Sequence, residues 1–144
     1  MPRRMLASSM RRRTLALNAI FAIALGVPAA AASGDKTVTL RLKSSSGAVI
    51  EKVCGVRAPF SSYRVERRVP FAGTVTPAPT GSFQVKVVVK RCFGKTFQVV
   101  KTLSARGLAG GSFTGSFPVY ARSDCYVQVF YGSATSPRRY FRVR

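Results

Sequence analysis

Histidine and tryptophan are absent from this 144-residue chain, and only four of its residues are acidic: Asp35, Glu51, Glu66 and Asp124. These shortages exclude much chemistry. A glycosidase needs two facing carboxylates, a serine hydrolase needs a base for its nucleophile, and hard metal ions need clustered oxygen ligands. Asp35 stands at the expected mature terminus and Asp124 in an expected turn beside Cys125. Glu51 and Glu66 are bracketed by Lys52 and by Arg64, Arg67 and Arg68, a pattern of local charge balance. Cysteine is also scarce, with Cys54, Cys92 and Cys125 alone and no C-x-x-C spacing, too few ligands for zinc. A thiolate favoured by Lys90, Arg91 and Lys95 is the remaining nucleophile, and it has no histidine to pair with. The residues therefore predict no enzyme, no cofactor and no metal site.

What the chain does have is positive charge, beginning at its amino end, "MPRRMLASSMRRRTLALNAIFAIALGVPAAAASGDK". Arg3, Arg4 and Arg11 to Arg13 form a charged region, residues 14–27 an apolar run, and Pro28 to Ala32 a helix break followed by small residues. That layout is a secretory signal peptide. The apolar run is 14 residues long, whereas a bilayer needs ~20. The expectation is cleavage near Ala30 to Ala32, a signal peptide over 1–32, one domain over 33–144, and a secreted, extracellular protein with no transmembrane anchor after cleavage. The leader holds five of the 24 basic residues and no acidic one, leaving 19 against four, or +15. The basicity belongs to the folded part. Three cysteines in an exported domain predict a disulfide, with one thiol left over.

Beyond the leader the chain alternates with period two, the signature of strands with one buried face. In "TVTLRLK" Val38, Leu40 and Leu42 share a side. In "SFQVKVVVK" the apolar side is Phe83, Val85, Val87 and Val89, opposite Lys86 and Lys90. In "CYVQVFYG" it is Val127, Val129 and Tyr131, and in "YFRVR" it is Phe141 and Val143, against Arg142 and Arg144. Between these runs stand "SSSG", "APF", "TPAPTGS", "CFGK", "RGLAGGS", "RSD" and "GSATSP", rich in the glycine and proline that turns require. No stretch sustains a helical apolar stripe. About seven short strands with turns every ~8 to 12 residues predict an all-β antiparallel sandwich.

The stretch from Val69 to the carboxyl end resembles the bacterial Ig-like repeats of secreted and cell-surface proteins. The elements that carry the likeness are Gly73 to Pro77, Gly81 to Val89, Phe97 to Thr102, Gly111 to Phe117, Tyr126 to Gly132 and Tyr140 to Val143. Phe97 stands where these repeats often place a tryptophan, and the cysteine spacing is not that of the antibody bridge. The resemblance implies an Ig-like antiparallel β-sandwich. It also implies a disulfide between Cys92 and Cys125, because the strands they flank are sheet neighbours in that topology. Such a bridge would restrain the unfolded chain by ~3 to 4 kcal/mol. Cys54 is then the odd thiol, free, capped or paired between chains.

Cations recur on outward strand faces: Arg41 and Lys43, Arg64 and Arg68, Lys86 and Lys90, Arg142 and Arg144. Outward positions must be polar in any sheet, and basic residues also guard edges. Charges of both signs would serve that purpose, so a 19-to-four excess points to contact with polyanions. No zinc finger, helix-turn-helix or aromatic RNA-binding pattern occurs, and Phe83, Phe93 and Phe97 read as core or turn residues, so no specific nucleic acid is expected. The expected function is a secreted, non-catalytic module contacting an anionic polymer of the cell envelope or extracellular matrix through Arg41, Lys43, Lys86, Lys90, Arg142 and Arg144. One alternative is a structural or protein-partner module docking through a sheet edge or through Tyr126 and Phe130. Another is a basic secreted toxin or inhibitor.

Overall fold

Three two-residue turns organise the strands in the computed structural model, which describes residues 34–144. The signal-peptide reading of 1–32 lies outside the described residues. Eleven strands follow one another: β1 (Thr37–Val38), β2 (Arg41–Leu42), β3 (Ala48–Val53), β4 (Val56–Tyr63), β5 (Arg68–Thr76), β6 (Phe83–Phe93), β7 (Thr96–Gly107), β8 (Ser112–Pro118), β9 (Ser123–Tyr131), β10 (Ala134–Thr135) and β11 (Arg139–Val143). The described chain is all-β, with no helix among these residues. The tight turns are Cys54-Gly55, Gly94-Lys95 and Gly132-Ser133, closed by the pairs Val53↔Val56, Phe93↔Thr96 and Tyr131↔Ala134. Both Cys54 and Gly55 have positive φ (49° and 77°), as do Gly94 (62°) and Gly132 (59°), the backbone twist that suits two-residue hairpins.

The strands form one mixed sheet in the order β1-β5-β8-β7-β6-β9-β11-β4-β3, with β2 added to β5 and β10 to β9. Two expectations are corrected here. There are eleven strands rather than about seven, and β4 pairs with β11 in parallel, Phe141↔Ser61 to Val143↔Tyr63. A parallel pair needs a long crossover, and the chain supplies it by passing through β5 to β10 first. The "APF" expected as a turn lies inside β4, where Pro59 pairs with Ile50 of β3 and precedes the pairing with β11, which begins at Ser61.

The core lies where distant parts of this sheet face one another. Phe71 of β5 and Phe117 of β8 stack 6.1 Å apart, and Phe117 lies 5.6 Å from Phe141 of β11 although β7, β6 and β9 separate the two strands in the sheet. Val85, Val87, Val89, Val127, Val129 and Val143 belong to this buried cluster, so the predicted inward faces hold. "TVTLRLK", however, becomes two strands of two residues each, with Val38 and Leu40 buried and Leu42 packed at the margin. Between β7 and β8 the sheet is joined only by Gly107↔Phe113.

Besides Gly107↔Phe113, glycine and phenylalanine face each other across the strands three times: Phe83↔Gly107, Phe71↔Gly115 and Gly73↔Phe113. In each pair the ring lies on the space a glycine Cβ would fill. The missing side chain lets the ring lie flat on its neighbour's backbone.

A second apolar layer occupies the opposite face. Phe97 of β7, Tyr126 of β9, Tyr140 of β11 and Phe60 of β4 form a row with ring centroids 4.9, 5.7 and 5.3 Å apart. Tyr126 is outward by parity yet 2% exposed, and Phe60 is 1% exposed, so Tyr126 is not the exposed docking aromatic that the sequence suggests. The β3–β4 hairpin contributes Val53, Val56, Ala58 and Phe60 on one face, and its tip is tied to β6 by a disulfide between Cys54 and Cys92.

That disulfide corrects the expected Cys92–Cys125 bridge. The two strands are neighbours, as expected, but it is Arg91 that pairs with Cys125. Successive strand residues point to opposite faces, so Cys125 enters the core at 4% exposure while Cys92 points to the other side. Cys125 is the free thiol, and its pKa is pushed up by burial.

Candidate anion-binding surface

Lys86, Lys90 and Arg142 lie on one face of adjacent strands, since β6 and β11 flank β9. Lys86 is paired with Phe130, Lys90 with Tyr126 and Arg142 with Asp124. The Lys86 and Lys90 ammonium groups sit 5.9 and 5.8 Å from the ring centroids of Phe130 and Tyr126, and the Arg138 guanidinium lies 4.8 Å from that of Tyr126. These cations rest on aromatic faces, which attract them weakly and leave their charge outward.

Arg142 behaves differently, because its charge is met by carboxylates of the same chain. It forms salt bridges with both Asp124 and Glu51, and Arg144 reaches Glu51 at 3.5 Å. The Asp124 hydrogen bond, followed in weight by opposing burial, holds the Arg142 guanidinium above its ordinary value. Two arginines and two carboxylates thus cancel locally. Asp124 sits within β9 rather than in a turn, and Glu51 faces β11 rather than Lys52. These are the only ion-paired cations among the described residues.

Around β2 the charge is uncompensated. Arg41 pairs with Ala72 in β5, and Lys43 follows with its amide bonded to the Pro70 carbonyl at 2.9 Å. The Tyr63 hydroxyl donates to the Lys43 carbonyl at 2.6 Å, and burial pushes the phenol pKa up to about 12. A concavity of about 500 Å³ lies beside Arg41 and Lys43, walled by the hydroxyls of Thr39, Thr74 and Thr114 and by Arg139. Arg139 opens β11 and is anchored by donating from Nε to the Leu40 carbonyl at 2.6 Å. A second concavity of about 440 Å³ shares Arg41 and Arg139 and adds Arg138 and Tyr140. A third, about 320 Å³, begins one residue beyond Lys43 and gathers Arg64, Arg67 and Arg68 with the hydroxyls of Ser44, Ser46 and Ser62. Within it Arg68 is fixed on Ser116, donating from Nε to Oγ at 2.7 Å and from Nη2 to the carbonyl at 2.9 Å.

The six cations marked by sequence therefore divide into three groups. Arg41 and Lys43 join the β2 surface, Lys86 and Lys90 lie on the aromatic face, Arg142 is ion-paired with Glu51 and Asp124, and Arg144 touches Glu51. Arg138 and Arg139 escaped notice because "SPRRY" reads only as a turn leading into a strand. Their tandem position ahead of an outward-basic strand was the available signal. Among the described residues no group of three or more histidine, cysteine, aspartate or glutamate side chains stands where it could hold a metal ion. Comparison with protein-family models and with curated proteins gives no match.

Proposed function

We propose that this protein is a secreted, non-catalytic binding module whose basic surface around β2 contacts an anionic polymer of the cell envelope or extracellular matrix. One observation carries the reading. Three adjoining concavities are lined by Arg41, Lys43, Arg64, Arg67, Arg68, Arg138 and Arg139 and by no carboxylate. Cations that serve only solubility do not need to be collected in hydroxyl-lined hollows whose walls hold no carboxylate. A chain of regularly spaced anions gains from such an array by releasing its counterions at several sites together. The threonine and serine hydroxyls suit a hydroxylated or sulfated polymer.

The fold reading that accompanies this is an Ig-like β-sandwich. It is supported by β5 and β8 facing β6, β9 and β11 across one core, with the β3–β4 hairpin as an addition. The test is retention of the full chain on immobilised heparin across a salt gradient. Replacing Arg41, Lys43 and Arg67 by serine should lower both retention and the slope of log affinity against log salt, by up to ~0.9 for each polymer charge no longer neutralised at a duplex-like charge density. Replacing Lys36, Lys52 and Lys95 removes as much charge elsewhere. Equal losses in both triple variants would overturn the assignment of the surface.

A protein-partner reading keeps one specific observation in its favour. β3 ends the sheet and carries Val49 and Ile50 at 53% and 64% exposure, an edge to which an extended segment can add. Binding that persists at high salt and fails with Ile50→Lys would select this reading instead.

A further inference from the structure

Arg91 and Lys101 occupy positions where the strand pattern calls for core residues. Lys101 pairs with Val89 and Arg91 with Cys125, and residues opposite each other in adjacent strands share a face. Val89 is 3% exposed and Cys125 4%, so both cations are directed toward the core side of the sheet. Neither has a carboxylate partner. Arg91 is held by donating from Nη2 to the Arg122 carbonyl at 3.1 Å. Half-buried charge without a counterion is costly unless something else supplies one.

The strands explain why space exists there. β7 and β8 meet only at Gly107↔Phe113, so toward the start of β7 the sheet is open. The β6–β7 register shifts from Val89↔Lys101 to Lys90↔Val99, leaving Val100 as a bulge at the opening. The result is a cavity of about 250 Å³, with Phe117, Val119 and Phe141 as apolar wall, Arg91 and Lys101 as the charges, and the Cys125 sulfur side chain within the lining. It shares no residue with the three concavities around β2.

We propose that this cleft binds a small aliphatic carboxylate, its chain against Phe117, Val119 and Phe141 and its carboxylate between Arg91 and Lys101. The apolar wall alone would accept any hydrophobic fragment. The paired cations select one that ends in negative charge, and their shared attraction offsets the cost of holding two positive groups at the core margin. The volume lies just below the usual range of ligand pockets, roughly 300 to 1,000 Å³, which limits the occupant to a short chain. This site is independent of polymer binding at β2.

Cys125 reports directly on occupancy, because the other two cysteines are joined to each other. Its carbamidomethylation by iodoacetamide is followed by mass spectrometry on the full chain with octanoate, octanol or acetate present. Octanoate should slow the reaction at concentrations about tenfold lower than octanol requires, as expected for a charged contact, and acetate should not slow it. In the double variant Arg91→Gln, Lys101→Gln, octanoate should lose about tenfold in potency while octanol is unchanged. Circular dichroism checks that the variant is folded, and the three-compound series on the unaltered protein decides the matter if it is not. Equal potency of octanoate and octanol, equal protection by acetate, or no protection by millimolar octanoate would each overturn the proposal.

Discussion

Cys54, in the turn of the β3–β4 hairpin, is bonded to Cys92 near the end of β6, with their Cα atoms 6.0 Å apart and a sequence separation of 38. The bond ties an edge hairpin across the aromatic row to the central strand. Closing a loop of this length restrains the unfolded chain by about 4 kcal/mol in the loop-entropy model. Reduction, or Cys54→Ser with Cys92→Ser, should therefore lower the denaturant midpoint substantially and expose the hairpin to proteolysis before the rest unfolds. Non-reducing peptide maps should link Cys54 to Cys92 and leave Cys125 alkylated. A peptide joining Cys125 to either would contradict this.

Arg142 stands between Glu51 and Asp124, whose side chains are 29% and 27% exposed. Arg142→Gln removes the guanidinium and leaves two half-buried carboxylates without their counterion. The variant should lose about 1 to 3 kcal/mol of stability, whereas Lys86→Gln, on the open face, should stay within about 0.5 kcal/mol. Adding Glu51→Gln to Arg142→Gln should restore part of the loss. Similar denaturation midpoints for the two single variants would show that the network contributes nothing.

Much of the main core was legible because it depends on local alternation. Val85, Val87, Val89, Val127, Val129, Phe141 and Val143 all fall on the predicted side, and that pattern needs no knowledge of which strands meet. Pairing is different. Cys92 and Cys125 flank neighbouring strands, but a shift of one residue in register decides whether two side chains share a face, and nothing in the spacing fixes that shift. The β3–β4 hairpin was hidden by "APF", whose proline reads as a turn although it is tolerated where a strand is unpaired on one side, as β4 is before Ser61. The Cys54-Gly55 turn between two apolar runs was the stronger signal. The partners of Glu51 and Asp124 were likewise beyond reach, since Arg142 is 91 residues from one and 18 from the other and meets both only through β4, β9 and β11.

The glycine–phenylalanine pairs make a sharp test of packing. Phe71 is 1% exposed and covers Gly115, where an added Cβ would collide with its ring. Gly115→Ala should cost about 1 to 3 kcal/mol by forcing the ring from its site. Gly81, with ordinary φ and no atom within 4 Å of a built Cβ, is the control. Gly81→Ala should be neutral or stabilise by about 0.4 to 1 kcal/mol through the unfolded chain. Thermal unfolding of both variants separates steric cost from loss of backbone freedom.

Tyr63 predicts how stability responds to alkali. Burial pushes its phenol from 10.0 to about 12, so between those values the unfolded chain has released a proton that the folded chain still holds. Stability therefore falls as pH rises through this window and is fully retained below it. The full loss is about 2 to 3 kcal/mol. Tyr63→Phe cannot titrate, but it forfeits the hydrogen bond to the Lys43 carbonyl, worth about 1 kcal/mol at neutral pH. The unaltered protein should be the more stable at pH 8 and the variant the more stable near pH 12, so their stability curves, measured by urea unfolding, should cross in between. Every group other than Tyr63 is common to both proteins and cancels in the difference. Parallel curves across the whole range would mean that Tyr63 ionises as readily in the folded chain as in the unfolded one.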